Sequence, residues 1–166
     1  MNLIFKRHSV RRFTDEKVSG EKIENLLKAG MQAPSAGNQQ AWEFIVIDKA
    51  EDKEIISQMH QFAKPALGAS HLIVTVGNLN ECKFHQMIDQ DLGACNENIL
   101  LQATYEGLGA VWLGFHPIED RTLKLKEFLN IPDYCIPFSV ICVGYPQKES
   151  EVKLRYDKSK IHFDKY

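Results

Sequence analysis

Four strand-sized runs of apolar, β-branched and aromatic residues are spread along the chain, at positions 42–47 (W-E-F-I-V-I), 72–76 (L-I-V-T-V), 111–113 and 137–144. Stretches with helical periodicity separate them, so the chain has to build a sheet with helices laid against it. Alternation alone suggests a parallel, doubly wound sheet, but an α+β sandwich satisfies the same pattern. Four short strands make a narrow sheet whose edges need pairing or cover.

The helices are marked by spacing and punctuation. Ser19 stands as N-cap to a helix in which Ile23, Leu26, Leu27 and Met31 recur on one face. Pro34 and Gly37 break that helix, and Ser35 and Asn38 offer side-chain hydrogen bonds to the loop that follows. Ile55, Ile56 and Met59 mark a second helix. The longest, 87–106, turns Leu92, Cys95, Ile99 and Ala103 to a core and stops at Gly107 and Gly109. A short amphipathic helix covers 119–129. Leu3, Ile4 and Phe5 form an apolar turn at the start, and the polar, irregular segment 145–166 has no core face of its own. It is therefore expected to lie across a partner subunit.

The 166 residues suit one domain, 1–166, with a core that needs no staple. With 20 basic against 22 acidic residues and no like-charge block, nothing favours nucleic acid as a partner. No apolar run is long enough for a membrane span or a signal sequence, and the expected location is cytoplasmic. Cys82, Cys95, Cys135 and Cys142 form no C-x-x-C pair and read as buried free thiols. Cys82 and His85, with Asp89, Asp91 and Cys95 downstream, have ligand-like spacing. They lack the second close pair that zinc wants, so no metal is expected.

Two segments could carry chemistry. Lys6, Arg7, Arg11 and Arg12 put four cations within seven positions, interrupted by His8 and Ser9. Guanidinium forks bind phosphate bidentately, and a hydroxyl with backbone N–H groups completes such a cradle. On charge alone the string reads as a solvated N-terminal turn. The loop of small residues at 34–38 could approach a ligand closely; by itself it reads as a helix stop and a turn. No Ser-His-Asp order or nucleophile elbow is present, which disfavours a hydrolase.

Read together, Arg7-His8-Ser9-Val10-Arg11-Arg12-Phe13 and Ala33-Pro34-Ser35-Ala36-Gly37-Asn38-Gln39-Gln40-Ala41-Trp42 resemble the two hallmark segments of the nitroreductase family. Gly107-Leu108-Gly109-Ala110-Val111-Trp112-Leu113-Gly114 is similar to the family's third segment, and Val143-Gly144-Tyr145-Pro146 to its closing strand. The four occur in order and in register over nearly the whole chain. The resemblance implies an α+β fold with a central, mostly antiparallel sheet flanked by helices. It also implies a homodimer with FMN at its interface and a C-terminal segment reaching over the other subunit.

By position, the resemblance gives Arg7, His8 and Ser9 to the phosphate and ribityl end of FMN, and Arg11 to the pyrimidine side of the ring. It draws Pro34, Ser35 and Asn38 from the partner chain. Leu113 and Gly114 match the stretch whose backbone faces the reactive ring nitrogen, and Arg155 matches a tail arginine that reaches the phosphate. No catalytic side chain is expected, because the flavin carries the redox chemistry. The implied activity passes electrons from NADH or NADPH through FMN to a small acceptor such as a nitroaromatic or a quinone. The alternative is a flavin protein fed by another donor, or one without rapid turnover. Ala41 stands where the family usually has proline, and Leu113 where many longer members have an acid. The chain also lacks those members' extra helices over the flavin.

Overall fold

The computed structural model describes residues 2–148 and 151–166. Its sheet consists of β1 (Trp42–Ile47), β2 (His71–Asn78), β3 (Gly109–Gly114) and β4 (Cys135–Gly144), in the order β1-β2-β4-β3. Every neighbouring pair is antiparallel. The parallel sheet suggested by simple alternation is thereby corrected, and the antiparallel α+β arrangement implied by the resemblance is what the chain forms. The physical reason lies in the connections: β2 and β4 pair at the centre although a helix, an edge strand and a second helix lie between them in sequence.

Among the described residues six α-helices surround the sheet: α1 (Leu3–Lys6), α2 (Gly20–Met31), α3 (Ala50–Gln58), α4 (Pro65–Gly68), α5 (Ile88–Tyr105) and α6 (Glu119–Phe128). The two central strands are apolar on both faces, as strands covered on both sides must be. Ile73, Ile141 and Val143 point to one layer, with Ile23 and Leu26 of α2 and Leu92, Cys95, Ile99 and Ala103 of α5. Leu72, Val74, Val140 and Cys142 point the other way, to Ile56, Phe115 and Leu125. Ser19 caps α2 as its position predicts, its Oγ accepting from the Lys22 N–H at 3.4 Å. Met31, read from spacing as part of the apolar face, is instead half-exposed at the end of that helix.

Two irregularities shape the ends of the sheet. Pro137 lies inside a central strand, where its missing N–H cannot join a ladder. The register accordingly slips between Thr75 opposite Ser139 and Val76 opposite Pro137, leaving Phe138 as the extra residue of a bulge. The second is at the outer edge of β3. The N-terminal segment pairs there through a parallel bridge between Ser9 and Ala110, with the Val10 N–H donating to the Ala110 carbonyl at 2.9 Å. It continues to Phe13, bridged to Pro146. Gly109 and Gly144 face one another in register and admit this segment. A Cβ on Gly109 would lie 2.7 Å from Val10, and one on Gly144 would lie 2.9 Å from the Phe13 ring. The tail from 151 to 166 contributes no buried residue, and its Leu154, Tyr156 and Phe163 are exposed. Among the described residues no helix is long and apolar enough to cross a membrane.

Candidate functional site

The basic string is held on a strand. Once Val10 is pressed onto Gly109, Arg7 is carried to the side of α5, where its Nε lies 3.2 Å from a Glu97 carboxylate oxygen. The His8 Nδ1–H donates to the Lys6 carbonyl at 3.0 Å, the direction being set because a carbonyl only accepts. Its Nε2 is shielded from solvent and has no partner among the described residues. Arg7, His8, Glu97, Lys153 and Arg155 line an open cavity of about 580 Å³. Four cations, Lys6, Arg7, Lys153 and Arg155, face it against two acids, Glu97 and Glu151. Ser9 and Arg11 face a separate, smaller cleft with Gln147 and Lys148. The structure thus brings Arg7, His8 and Arg155 together and sets Arg11 apart from them.

Asp89, Gly93 and Glu97 follow one another at four-residue spacing and share a face of α5. This helix runs antiparallel to the edge strand β3. Glu97 lies by the N-terminal segment at the start of β3, and Trp112 lies opposite Gly93. Asp89 is reached by His116, just past the end of β3, with 3.3 Å between carboxylate and Nε2. Gly93 and Trp112 thus lie between two polar contacts, Arg7 with Glu97 at one end and Asp89 with His116 at the other. Eight helical residues separate those ends, about 12 Å. Gly114 lies at the His116 end, with open space where a side chain would be, and its carbonyl accepts from Arg121 at 3.2 Å. The Leu113 side chain is buried beneath the sheet, so only its backbone is available there.

The 34–38 loop is built elsewhere on the same helix. Asp91, buried in the first turn of α5, accepts from the Ala36 N–H at 2.9 Å and from the Gln39 side-chain amide. The Gln39 carbonyl oxygen in turn accepts from the N–H groups of Lys83 and Phe84. Gly37, Asn38 and Gln40 all have positive φ, and a Cβ on Gly37 would strike the Phe84 ring at 2.5 Å. Ser35 accepts from the Gln40 N–H, and the Asn38 carbonyl oxygen from the Gln40 amide. Among the described residues no hydrogen bond or ion pair links this loop to the basic string. Cys82 and Asp91, weighed from sequence as metal ligands, are both engaged by Gln39, and Cys95 faces the core. Glu97 and the Asp89–His116 pair had no sequence signal, since each contact joins residues distant in the chain.

A sequence profile of the Nitroreductase family matches residues 4–87 and 62–145. The chain belongs to this family. An Archaeoglobus fulgidus protein provisionally named NADH dehydrogenase/NAD(P)H nitroreductase is 40% identical, covering 100% of this chain and 98% of its own length. A crystal structure of a Clostridium acetobutylicum protein, provisionally named NADH oxidase, superposes with a TM-score of 0.97 at 46% identity. It covers 99% of this chain and 100% of the other. A Desulfovibrio desulfuricans protein provisionally named nitroreductase, solved in complex with FMN, superposes with a TM-score of 0.84 at 28% identity, over 99% and 95% of the two chains. As a nitroreductase-family protein the chain is an oxidoreductase.

Proposed function

We propose that the chain is an FMN-dependent oxidoreductase that works as a homodimer, takes electrons from NADH or NADPH and passes them to a small acceptor such as a nitroaromatic or a quinone. The observation that carries this reading is the cationic cavity lined by Arg7, His8 and Arg155. The phosphate of a dianionic cofactor needs cations, and this cavity offers Lys6, Arg7, Lys153 and Arg155. The residues fit the ligand's chemistry. Arg7 and Arg155 supply guanidinium forks for a phosphate, whose charge near neutral pH is close to two. The unpartnered His8 Nε2 accepts from a hydroxyl when neutral and donates to a phosphate oxygen when protonated, and a ribityl phosphate presents both groups.

Ser9 adds a hydroxyl at the start of β3. Arg11, on its neighbouring cleft, is assigned to the pyrimidine side, where a cation favours the reduced ring. Leu113 and Gly114 offer backbone groups at the far end. Bound FMN supplies the hydride chemistry, while the chain's residues bind, orient and exclude water. Pro34, Ser35 and Asn38 sit in a loop anchored to the first turn of α5 through Asp91, outside the cationic cavity, which supports their serving the site of a second subunit. The exposed tail, with Leu154, Tyr156 and Phe163 uncovered, supports the same arrangement. Four free, buried cysteines accord with a reducing compartment, the cytoplasm.

The test is the visible spectrum of the purified protein. Flavin absorbance is expected as isolated or after adding FMN, and it should bleach under anaerobic NADH or NADPH and return when a quinone is added. A protein that takes up no FMN would overturn the proposal. Bleaching only with a protein donor would replace the nicotinamide.

A further inference from the structure

Arg7 is held at both of its ends. Its backbone N–H donates to the Leu3 carbonyl at 3.1 Å, and Val10, three residues on, is bonded to Ala110 of β3. Its side chain is four-fifths buried, and Nε lies 3.2 Å from a Glu97 carboxylate oxygen. Both residues line the cationic cavity. Among the described residues the two terminal Nη groups of Arg7 make no hydrogen bond or ion pair.

Glu97 is set in place by its neighbours on α5. Asn96 is fully buried; it accepts from the Thr75 hydroxyl at 2.7 Å and donates to the Ser139 hydroxyl at 2.6 Å. Those two residues face each other in register on β2 and β4. Asn98 donates to the Ala29 carbonyl of α2 at 3.1 Å. The residues flanking Glu97 therefore tie α5 to the sheet and to α2, which fixes the roll of the helix at this turn. The Glu97 side chain itself is half-exposed, and among the described residues Arg7 is its polar partner. An arginine binds phosphate best when two N–H groups of its planar fork meet two oxygens. A partner at Nε leaves the Nη pair free to do so.

We propose that Glu97 is the positioning residue for Arg7, holding its guanidinium at Nε so that the Nη pair is presented to the cofactor's phosphate. The inference rests on the flavin reading above and deepens it. Glu97 also adds a negative charge to a cavity that receives a dianion. A residue acting through charge alone would therefore oppose binding, whereas one that orients Arg7 promotes it. The two roles predict opposite signs for its removal.

The test titrates flavin-free wild-type protein, Glu97→Ala and Glu97→Gln with FMN and with riboflavin, which lacks the phosphate, following the flavin fluorescence. Alanine and glutamine are both good helix formers, so a half-exposed position on α5 accepts either. In Glu97→Ala, FMN affinity is expected to fall about tenfold, the low end for loss of an orienting partner. Riboflavin affinity should stay within about twofold, as for a surface change away from the ligand. Glu97→Gln keeps an oxygen that can meet the Nε–H and should recover most of the loss. Unchanged or tighter FMN binding in Glu97→Ala would overturn the proposal. So would an equal loss for both flavins, the mark of a merely structural effect, or a Glu97→Gln variant as weak as Glu97→Ala. A wild-type protein that takes up neither flavin defeats the earlier reading, whereas one that binds flavin without this pattern defeats this one.

Discussion

Cys95 and Cys142 have fully buried side chains in opposite layers of the core, and burial governs their chemistry. Loss of hydration pushes the Cys95 thiol up to about 12 and raises Cys142 as well. Cys82 and Cys135 are raised for the same leading reason. The thiolate is the reactive form, so at pH 8 an alkylating reagent is expected to leave all four cysteines unmodified in the native protein and to label four per chain in denaturant. Rapid native labelling of Cys95 or Cys142 would contradict the packing, and fewer than four labels in denaturant would reveal a disulfide. His8 presents the opposite case: a shielded nitrogen with no partner among the described residues, which is costly unless a ligand meets it. The burial of Cys95 and Cys142 was legible from their place in apolar patterns. The orphaned nitrogen of His8 was not, because it depends on what the fold folds over it.

At the scale of elements, the site depends on how the N-terminal segment is laid on the sheet. The paired glycines at the ends of β3 and β4 leave room for Val10 and Phe13, and that contact delivers Arg7 to Glu97. A Cβ at Gly109 would meet backbone-near carbons of Val10 at 2.7 Å, so the segment itself has to move. Gly109→Ala is expected to cost about 1–3 kcal/mol, the ordinary penalty of overpacking. It should also weaken FMN retention in parallel. Urea unfolding and flavin titration of the variant check both effects, and adding Val10→Ala should restore part of each. Stability lost with flavin binding intact would separate the segment from the site. From sequence, Gly109 read as a helix stop and as part of the third family-like segment. Its role as a seat for Val10 was invisible because the two residues lie far apart in the chain.

For the whole molecule, the histidines of the second layer set the response to acid. Burial is the leading cause that holds His60 and His71 below the ordinary value of 6.5. Arg121 assists at His60; at His71, Asp48 opposes, and Lys53 and Lys17 assist. A depressed folded value means that the unfolded chain binds the proton first. Their contribution to stability is therefore complete above about pH 6.5 and is lost as pH falls toward the folded values. The thermal midpoint should be flat from pH 8 to 7 and decline from about 6.5 downward, before most carboxylates titrate. In His71→Gln that early decline should be shallower; an identical profile would remove His71 from the response.

The sequence by itself determined the elements of this protein: four apolar runs long enough only for strands, a Ser19 cap, helix stops at Pro34 and Gly107, and a basic string opening the chain. Those are local properties, fixed by side-chain periodicity and by backbone preference within a few residues. Its four ordered segments also carried the family, and with it the α+β class. Only the tertiary structure decided that β2 and β4 share the centre of an antiparallel sheet. It alone placed Arg7 against Glu97 and His116 against Asp89 at the two ends of one helix face, and put the 34–38 loop on another part of that helix. Such contacts join distant residues, and their cost and gain depend on burial and charge that exist only after the layers close.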